Sequence, residues 1–430
     1  MVSQLIFAVV LATASWLFAK KVGSIRRNIL SGKPLDRRDR PSDRRKNMLR
    51  VAFGQSKMRA RPVAGILHFI VYASFLLINI EVLEIVVDGL FGTHRFFQAP
   101  LGSFYPIVIG FFEVLAVLTL IAVIIFWWRR NILKLDRFHK PELKGWAFND
   151  ANNILYIEMV LMVALLSMNA VEANIEGGHA FIISQFLAPL WSSFTPESLH
   201  LAERVFWWFH IVGILAFLNY LPYSKHFHII LAFPNTYFAN LEAKGKFENN
   251  AAVTKEVALM MDPSADPYAA PATETPVERF GAKDAMDLSW VNLLNAYSCT
   301  ECGRCTSVCP ANLTGKKLSP RKIMMDTRDR IEEIGKQFEQ ANGTWAEDGK
   351  SLLGDYISKE EIWACTSCNA CVQACPIDID PLNIIMKLRN YATMEESSAP
   401  AALNAMMGNV ENNGAPWPFS QMDRANWINE

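Results

Sequence analysis

All eight cysteines of this 430-residue sequence fall in two short runs. Cys299-x-x-Cys302-x-x-Cys305-x-x-x-Cys309-Pro310 recurs as Cys365-x-x-Cys368-x-x-Cys371-x-x-x-Cys375-Pro376. This is the spacing of paired [4Fe–4S] clusters: three closely spaced thiolates take three irons of one cluster, and the fourth, ahead of proline, reaches across to the other. The rule predicts Cys299, Cys302, Cys305 and Cys375 around one cluster and Cys365, Cys368, Cys371 and Cys309 around the second. Two stretches separated by 55 residues must then fold against each other. Zinc is the competing occupant, but zinc sites ordinarily pair two C-x-x-C units rather than running three cysteines ahead of Cys-Pro. Disulfides conflict with the need for free thiolates and a reducing compartment.

Net charge is zero and half the residues are hydrophobic. The apolar residues are concentrated before about residue 235, in runs that approach the length of a bilayer crossing. The runs cover about Leu5–Phe18, Val63–Val87, Phe104–Trp128, Ile154–Val171 and Val205–Leu221. The first lacks a basic residue ahead of it and a small-x-small cleavage pattern after it, so it reads as a retained span rather than a signal peptide. Residues 20 to 61 carry fifteen Lys or Arg against three Asp. Six more basic residues follow the third span: Arg129, Arg130, Lys134, Arg137, Lys140 and Lys144. The opposite loops hold Arg95 and little else. The positive-inside rule therefore puts the N-terminus outside and everything beyond the fifth span in the cytoplasm, at an inner membrane. Beside a span, a basic run suits anionic lipid or a partner protein better than nucleic acid, and no nucleic-acid role is expected. The stretch Ala180–Trp191 is too short to span and is expected to lie along the interface or cap the bundle.

Of the histidines, His68 lies early in the second span and His226 and His228 stand at the inner end of the fifth, at one membrane level. That placement suits a bis-histidine b-type haem. His226 and His228 would be about 200° apart on a helix, so only one can face the second span. The stretch Asn219-Tyr-Leu-Pro-Tyr-Ser-Lys-His-Phe-His228, with five spans and a cytoplasmic tail, resembles the membrane cytochrome b family of the nitrate reductase gamma subunit and heterodisulfide reductase-like complexes. The resemblance implies an inner haem held by His68 and His228. It also implies an outer haem with His210 as one ligand. The partner position falls near Ile78 and Asn79, neither of which is a normal axial ligand, and His94 and His179 are poorly placed to replace them.

Carboxylates also occur inside the spans, where ionisable groups usually face the bundle interior and serve proton movement or ligand binding. Glu81 and Glu113 are candidates for an outer quinone pocket. Glu84 and Glu158 read equally well as interfacial residues at helix ends.

The remaining sequence reads as soluble. Residues 262 to 278 are a Pro- and Ala-rich linker by composition. A helix is expected from about Lys283 to Tyr297, delivering Cys299. Ser319-Pro320 starts another, reaching about Gln337. Gly343 to Gly354 reads as a loop carrying Trp345, Ser358-x-x-Glu361 is a capping box, and Pro381 opens a closing amphipathic helix. This half, with Leu318-Ser-Pro-Arg321 after the first cysteine run, resembles the small iron–sulfur subunit of heterodisulfide reductases. In that family a neighbour with CCG motifs takes up the next redox step. Every cysteine here is already assigned, so the resemblance implies that a catalytic centre belongs to a cytoplasmic iron–sulfur partner.

The expectation is an all-α protein. A five-helix transmembrane bundle (1–235) leads through a linker (236–282) to a mainly helical dicluster domain (283–395) and an extended tail (396–430). Its expected role is electron transfer within an oxidoreductase complex, linking the quinone pool, a b-type haem and two [4Fe–4S] clusters to a cytoplasmic partner. The alternative is a haem-free membrane anchor for the cluster domain.

Overall fold

A computed structural model of the chain describes residues 1–176, 181–264, 279–341, 343 and 347–429. His179, Trp345 and most of the Pro- and Ala-rich linker lie outside the described residues. Among those described the fold is all-helical, with two isolated bridges and no sheet.

Five helices are long and apolar enough to cross a membrane. They are α1 (Val2–Leu30), α3 (Pro62–Phe91), α4 (Tyr105–Asn131), α5 (Trp146–Glu176) and α6 (Pro196–Tyr220), with α2 (Pro41–Met48) lying between the first two. Proline opens α3, lies at the second position of α4 and opens α6, where its missing N–H costs nothing. Gly92, at φ 72°, ends α3 in the left-handed conformation. The helices pack in a ring, α1 on α3, α3 on α4, α4 on α5, α5 on α6 and α6 back on α1. Phe7, Ile109, Leu165 and Ile211 fill the interior, while Leu5, Ile66, Ile107 and Val205 point outward, as expected where lipid is the solvent.

The second half follows α7 (His228–Tyr237). Its elements are α8 (Trp290–Ser298), α9 (Pro320–Gln340), α10 (Lys359–Trp363), α11 (Ala370–Ala374) and α12 (Pro381–Met394). The start of α8 is later than expected because Asp284 caps a separate 3-10 turn and Ser289 then forms a capping box with Asn292. Ser319 caps α9, and the Ser358–Glu361 capping box opens α10.

One hydrophobic core runs through both halves. Ile25 and Ile29 of α1 and Phe227 and Leu231 near α7 share it with Leu293, Ile323 and Leu388. The boundary expected at 235 thus falls inside α7, whose Asn235 donates to the Ile377 carbonyl at 2.6 Å and accepts from Asn295. The basic end of α1 reaches the same surface: Lys21 pairs with Glu332 at 3.0 Å, Arg27 with Glu339 at 2.9 Å, and Asn28 donates to the Tyr297 hydroxyl. Where an extended tail is expected, the chain forms α13 (Ala401–Asn413). Its first seven residues, Ala401 to Met407, are Ala, Leu and Met but for Asn404, strong helix formers, and Gly414 closes it in the left-handed conformation.

Candidate redox centres

Each cysteine run is a chain of tight turns that aims sulfurs inward. After α8, Glu301 (φ 53°) and Gly303 (φ 71°) reverse the backbone between Cys299, Cys302 and Cys305. A side chain at Gly303 would meet the buried Arg321 guanidinium at 2.6 Å. In the second run Ser367 and Asn369 take the same left-handed role. Cys299, Cys302, Cys305 and Cys375 line one small cavity. Cys309, Cys365, Cys368 and Cys371 line another. The structure thus brings together three sulfurs of one run with the fourth of the other, twice. Among the described residues no three or more His, Cys, Asp or Glu side chains are gathered closely enough for a single metal ion; each foursome surrounds a space instead.

Backbone N–H groups point at the sulfurs, Ser367 to Cys365 Sγ at 3.4 Å and Ile379 to Cys375 Sγ at 3.3 Å. Such donors favour thiolates. Against them, burial pushes the Cys299 thiol up to about 11 and the Cys375 thiol up to about 12. Buried thiols in this state gain a charged form only with a cation to balance it, so the donor set suits a metal cluster that displaces the protons.

The histidines are sorted by the fold. His228 opens α7 and faces His68 of α3, with ring centres 6.3 Å apart and planes at 44°. Two imidazoles on opposite faces of one iron would stand about 6 Å apart, at about 2 Å for each metal–nitrogen bond. His68 Nδ1 lies 3.0 Å from Gln55 Oε1 and His228 Nδ1 lies 3.1 Å from the Lys225 carbonyl. Both neighbours are acceptors, so each Nδ1 carries the proton and each Nε2 lone pair is left for a metal, the arrangement that orients ligating histidines. These residues fit a bis-histidine haem. His226 is turned aside, its ring nearly perpendicular to that of His228, with Glu158 at 3.6 Å.

Among the described residues no corresponding outer pair is assembled. His210 is buried, hydrogen-bonds the backbone of Leu161, and makes no ring contact with a second histidine among the described residues. Glu81, Glu84 and Glu113 instead join one buried network. Arg95 binds Glu172 at 2.6 Å, Asn169 at 3.1 Å and Glu81 at 3.5 Å. Glu84 accepts from the Tyr105 hydroxyl and the Phe97 N–H. Glu113 is tied down by the N–H groups of Ile183 and Ser184 and by Asn169. Glu81 Oε1 makes no hydrogen bond and is held through its ion pair with Arg95.

Several residues that sequence reasoning passed over join the two centres. Lys225, whose carbonyl orients His228, pairs through its amine with Glu301 in the first cysteine loop. Burial pushes the Glu301 carboxyl up, but Arg328 and Lys225 outweigh it and hold it below its ordinary value. Arg304, between Cys302 and Cys305, donates to the Lys57 carbonyl at 3.1 Å, and Lys57 donates to the Cys375 carbonyl at 3.2 Å. The fully buried Arg321 clamps Glu142 and the Arg137 carbonyl. The cavity lined by Cys299 therefore lies on the side of the histidine pair, while Cys368 in the other set is exposed.

Residues 298–379 match the family described as 4Fe-4S dicluster domain. This part of the chain is a dicluster iron–sulfur domain. The whole chain is 28% identical to the probable iron-sulfur-binding oxidoreductase FadF of Bacillus subtilis, covering 61% of that protein. Over 96% of its length it is 27% identical to the EtfAB:quinone oxidoreductase of Syntrophomonas wolfei, covering 56% of it. A stretch of 24% of the chain is 30% identical to an iron-sulfur subunit of the CoB–CoM heterodisulfide reductase of Methanocaldococcus jannaschii, over 44% of that protein. The chain spans about three-fifths of the length of the first two relatives. No solved structure matches.

Proposed function

We propose that the chain is a membrane-anchored electron-transfer protein that exchanges electrons between the quinone pool and a cytoplasmic iron–sulfur partner of the CCG-motif type. His68 and His228 hold a b-type haem. Cys299, Cys302, Cys305 and Cys375 hold the cluster nearer to it, and Cys365, Cys368, Cys371 and Cys309 hold the outward one. Bound there, these groups supply one-electron chemistry to a protein whose quinone substrate carries two electrons. The observation that carries the reading is the histidine pair, two imidazoles facing across 6.3 Å with both Nδ1 atoms engaged. The quinone arm is supported by Glu81 and Glu113 within the buried network and by a relative whose name includes quinone oxidoreductase. The basic segments before α3 and after α4 support a cytoplasmic dicluster domain.

The chain's own residues set the order of the parts. Gln55 and Lys225 orient the two imidazoles. Lys225 and Arg304 fasten the first cysteine loop over them, and the exposed Cys368 faces the partner. The test is optical and analytical. Purified protein is expected to show a Soret band with a bis-histidine low-spin signal, lost in His68→Ala and in His228→Ala, with about eight irons per chain outside the haem. Folded protein with full cluster iron and no Soret band would reject the haem and leave the membrane-anchor reading.

A further inference from the structure

A cavity of about 520 Å³ opens where the membrane bundle meets the dicluster domain. Four cations line it: Arg61 immediately before α3, Arg129 in the last turn of α4, and Arg137 and Lys140 in the loop that follows. Because α3 and α4 pack along each other in opposite directions, these residues share one end of the bundle. Thr306 and Ser307 of the first cysteine run close the other wall. The one carboxylate in the lining, Asp136, is taken by Lys140 at 2.7 Å. The Arg61 guanidinium donates to the neutral Ser307 hydroxyl, at 2.6 Å. Arg129 and Arg137 have no ion pair among the described residues, and Arg137 Nε is buried without a hydrogen-bond partner. Burial, and after it the nearby Arg61, hold the Arg137 guanidinium down to about 10, with the Cys302 sulfur opposing them.

Three guanidinium groups turned on a single cavity with no carboxylate paired to them among the described residues call for an anion with several oxygens, the geometry that arginine forks match in phosphate. The cavity's rim is apolar. Leu135 and Leu313 line it, and Trp128, Ile132 and Leu133 beside it are exposed. A free phosphate has no use for such a rim, whereas an acyl chain does, and tryptophan is at home at a headgroup level. We infer that Arg61, Arg129, Arg137 and Lys140 form a site for the phosphate of an anionic phospholipid, seated between the membrane bundle and the first cysteine loop. The lipid bridges the two halves there, so its headgroup is a structural part of the junction.

The test uses the full chain in zwitterionic phosphatidylcholine nanodiscs, titrated with phosphatidylglycerol and read by native mass spectrometry. Phosphatidylglycerol is expected to be retained over phosphatidylcholine. Each arginine near a membrane surface contributes about five-fold in binding, so Arg129→Gln with Arg137→Gln is expected to weaken retention roughly 25-fold. Unchanged visible cluster absorbance checks that the variant is folded. Equal retention of both lipids by the wild-type chain overturns the assignment whether or not the variant folds. So does a folded double variant that binds phosphatidylglycerol like the wild type. Displacement of the lipid by inorganic phosphate at millimolar concentration overturns it too, and would assign the cavity to a soluble anion.

Discussion

Replacing Gln55 with leucine tests the histidine pair without touching either imidazole. Gln55 sits on the turn before α3 with φ 45°, is 9% exposed, and offers Oε1 to His68 Nδ1 at 3.0 Å. Leucine keeps the bulk but removes the acceptor, leaving a buried N–H unpaired and the ring free to turn. Partners of this kind are worth about 10- to 100-fold in metal affinity, or roughly 1.4–2.8 kcal/mol. Haem titrated into haem-depleted full-length protein, followed by Soret absorbance, is expected to bind Gln55→Leu weaker by that factor, with cluster iron unchanged. Gln55→Glu presents a charged acceptor, makes His68 a stronger donor, and is expected to lower the haem reduction potential. His210→Ala is the control and is expected to leave occupancy at the wild-type value. If Gln55→Leu binds haem with wild-type affinity and potential, the Nδ1 contact does not orient a ligand. If His68→Ala also keeps its Soret band, the pair is not the haem site.

Three further outcomes follow from the dicluster half. Cys375→Ser and Cys302→Ser are expected to leave the same single-cluster EPR signal, different from that left by Cys309→Ser and Cys368→Ser, each with about four irons remaining; grouping by run instead of by cavity would refute the crossed sets. Arg330 is fully buried and binds Asp284 at 2.6 Å and Asp348 at 2.7 Å. Arg330→Met strands both carboxylates and is expected to cost about 3 kcal/mol in guanidinium unfolding followed by cluster absorbance. Burial pushes the Asp326 carboxyl up to about 6 in spite of Lys322 at 2.6 Å. A raised carboxyl stabilises the fold while protonated, so stability is fully present below about pH 4 and is lost as pH rises through 6. Asp326→Asn is expected to remove that component, at most about 3 kcal/mol, and flatten the unfolding midpoint between about pH 4 and 7.

What the sequence discloses here is what local spacing encodes. The cysteine runs carry their own turn chemistry, and the rule that crosses their fourth ligands needs no tertiary knowledge. Caps such as Ser319 and Ser358 satisfy N–H groups three residues away, so they too are legible. The opaque features are those whose partners lie hundreds of residues off. Lys21 and Arg27 read as charges that orient a span, yet they meet Glu332 and Glu339 of α9. Arg37 and Lys57, from a run that suggested lipid, meet Glu248 and Asp378. Gln55 has no sequence mark as the partner of His68, because its role depends on a left-handed turn that glutamine rarely adopts. The choice between His226 and His228 was likewise beyond helical geometry: a 3-10 turn over Lys225–Phe227 precedes α7, so the two do not share a regular helix.

The unbroken run of α1 from the bundle to α9 has a consequence for how such a chain is assembled. Its basic C-terminal end carries complementary charges and buried apolar residues, Lys21, Ile25, Arg27 and Ile29, that meet the dicluster domain directly. The two halves therefore recognise each other through surfaces, and the covalent link adds effective concentration to contacts already specific. Split between α7 and α8 and produced as two polypeptides, they are expected to find the same seat. An architecture of this kind can pass between one gene and two without redesign of the junction.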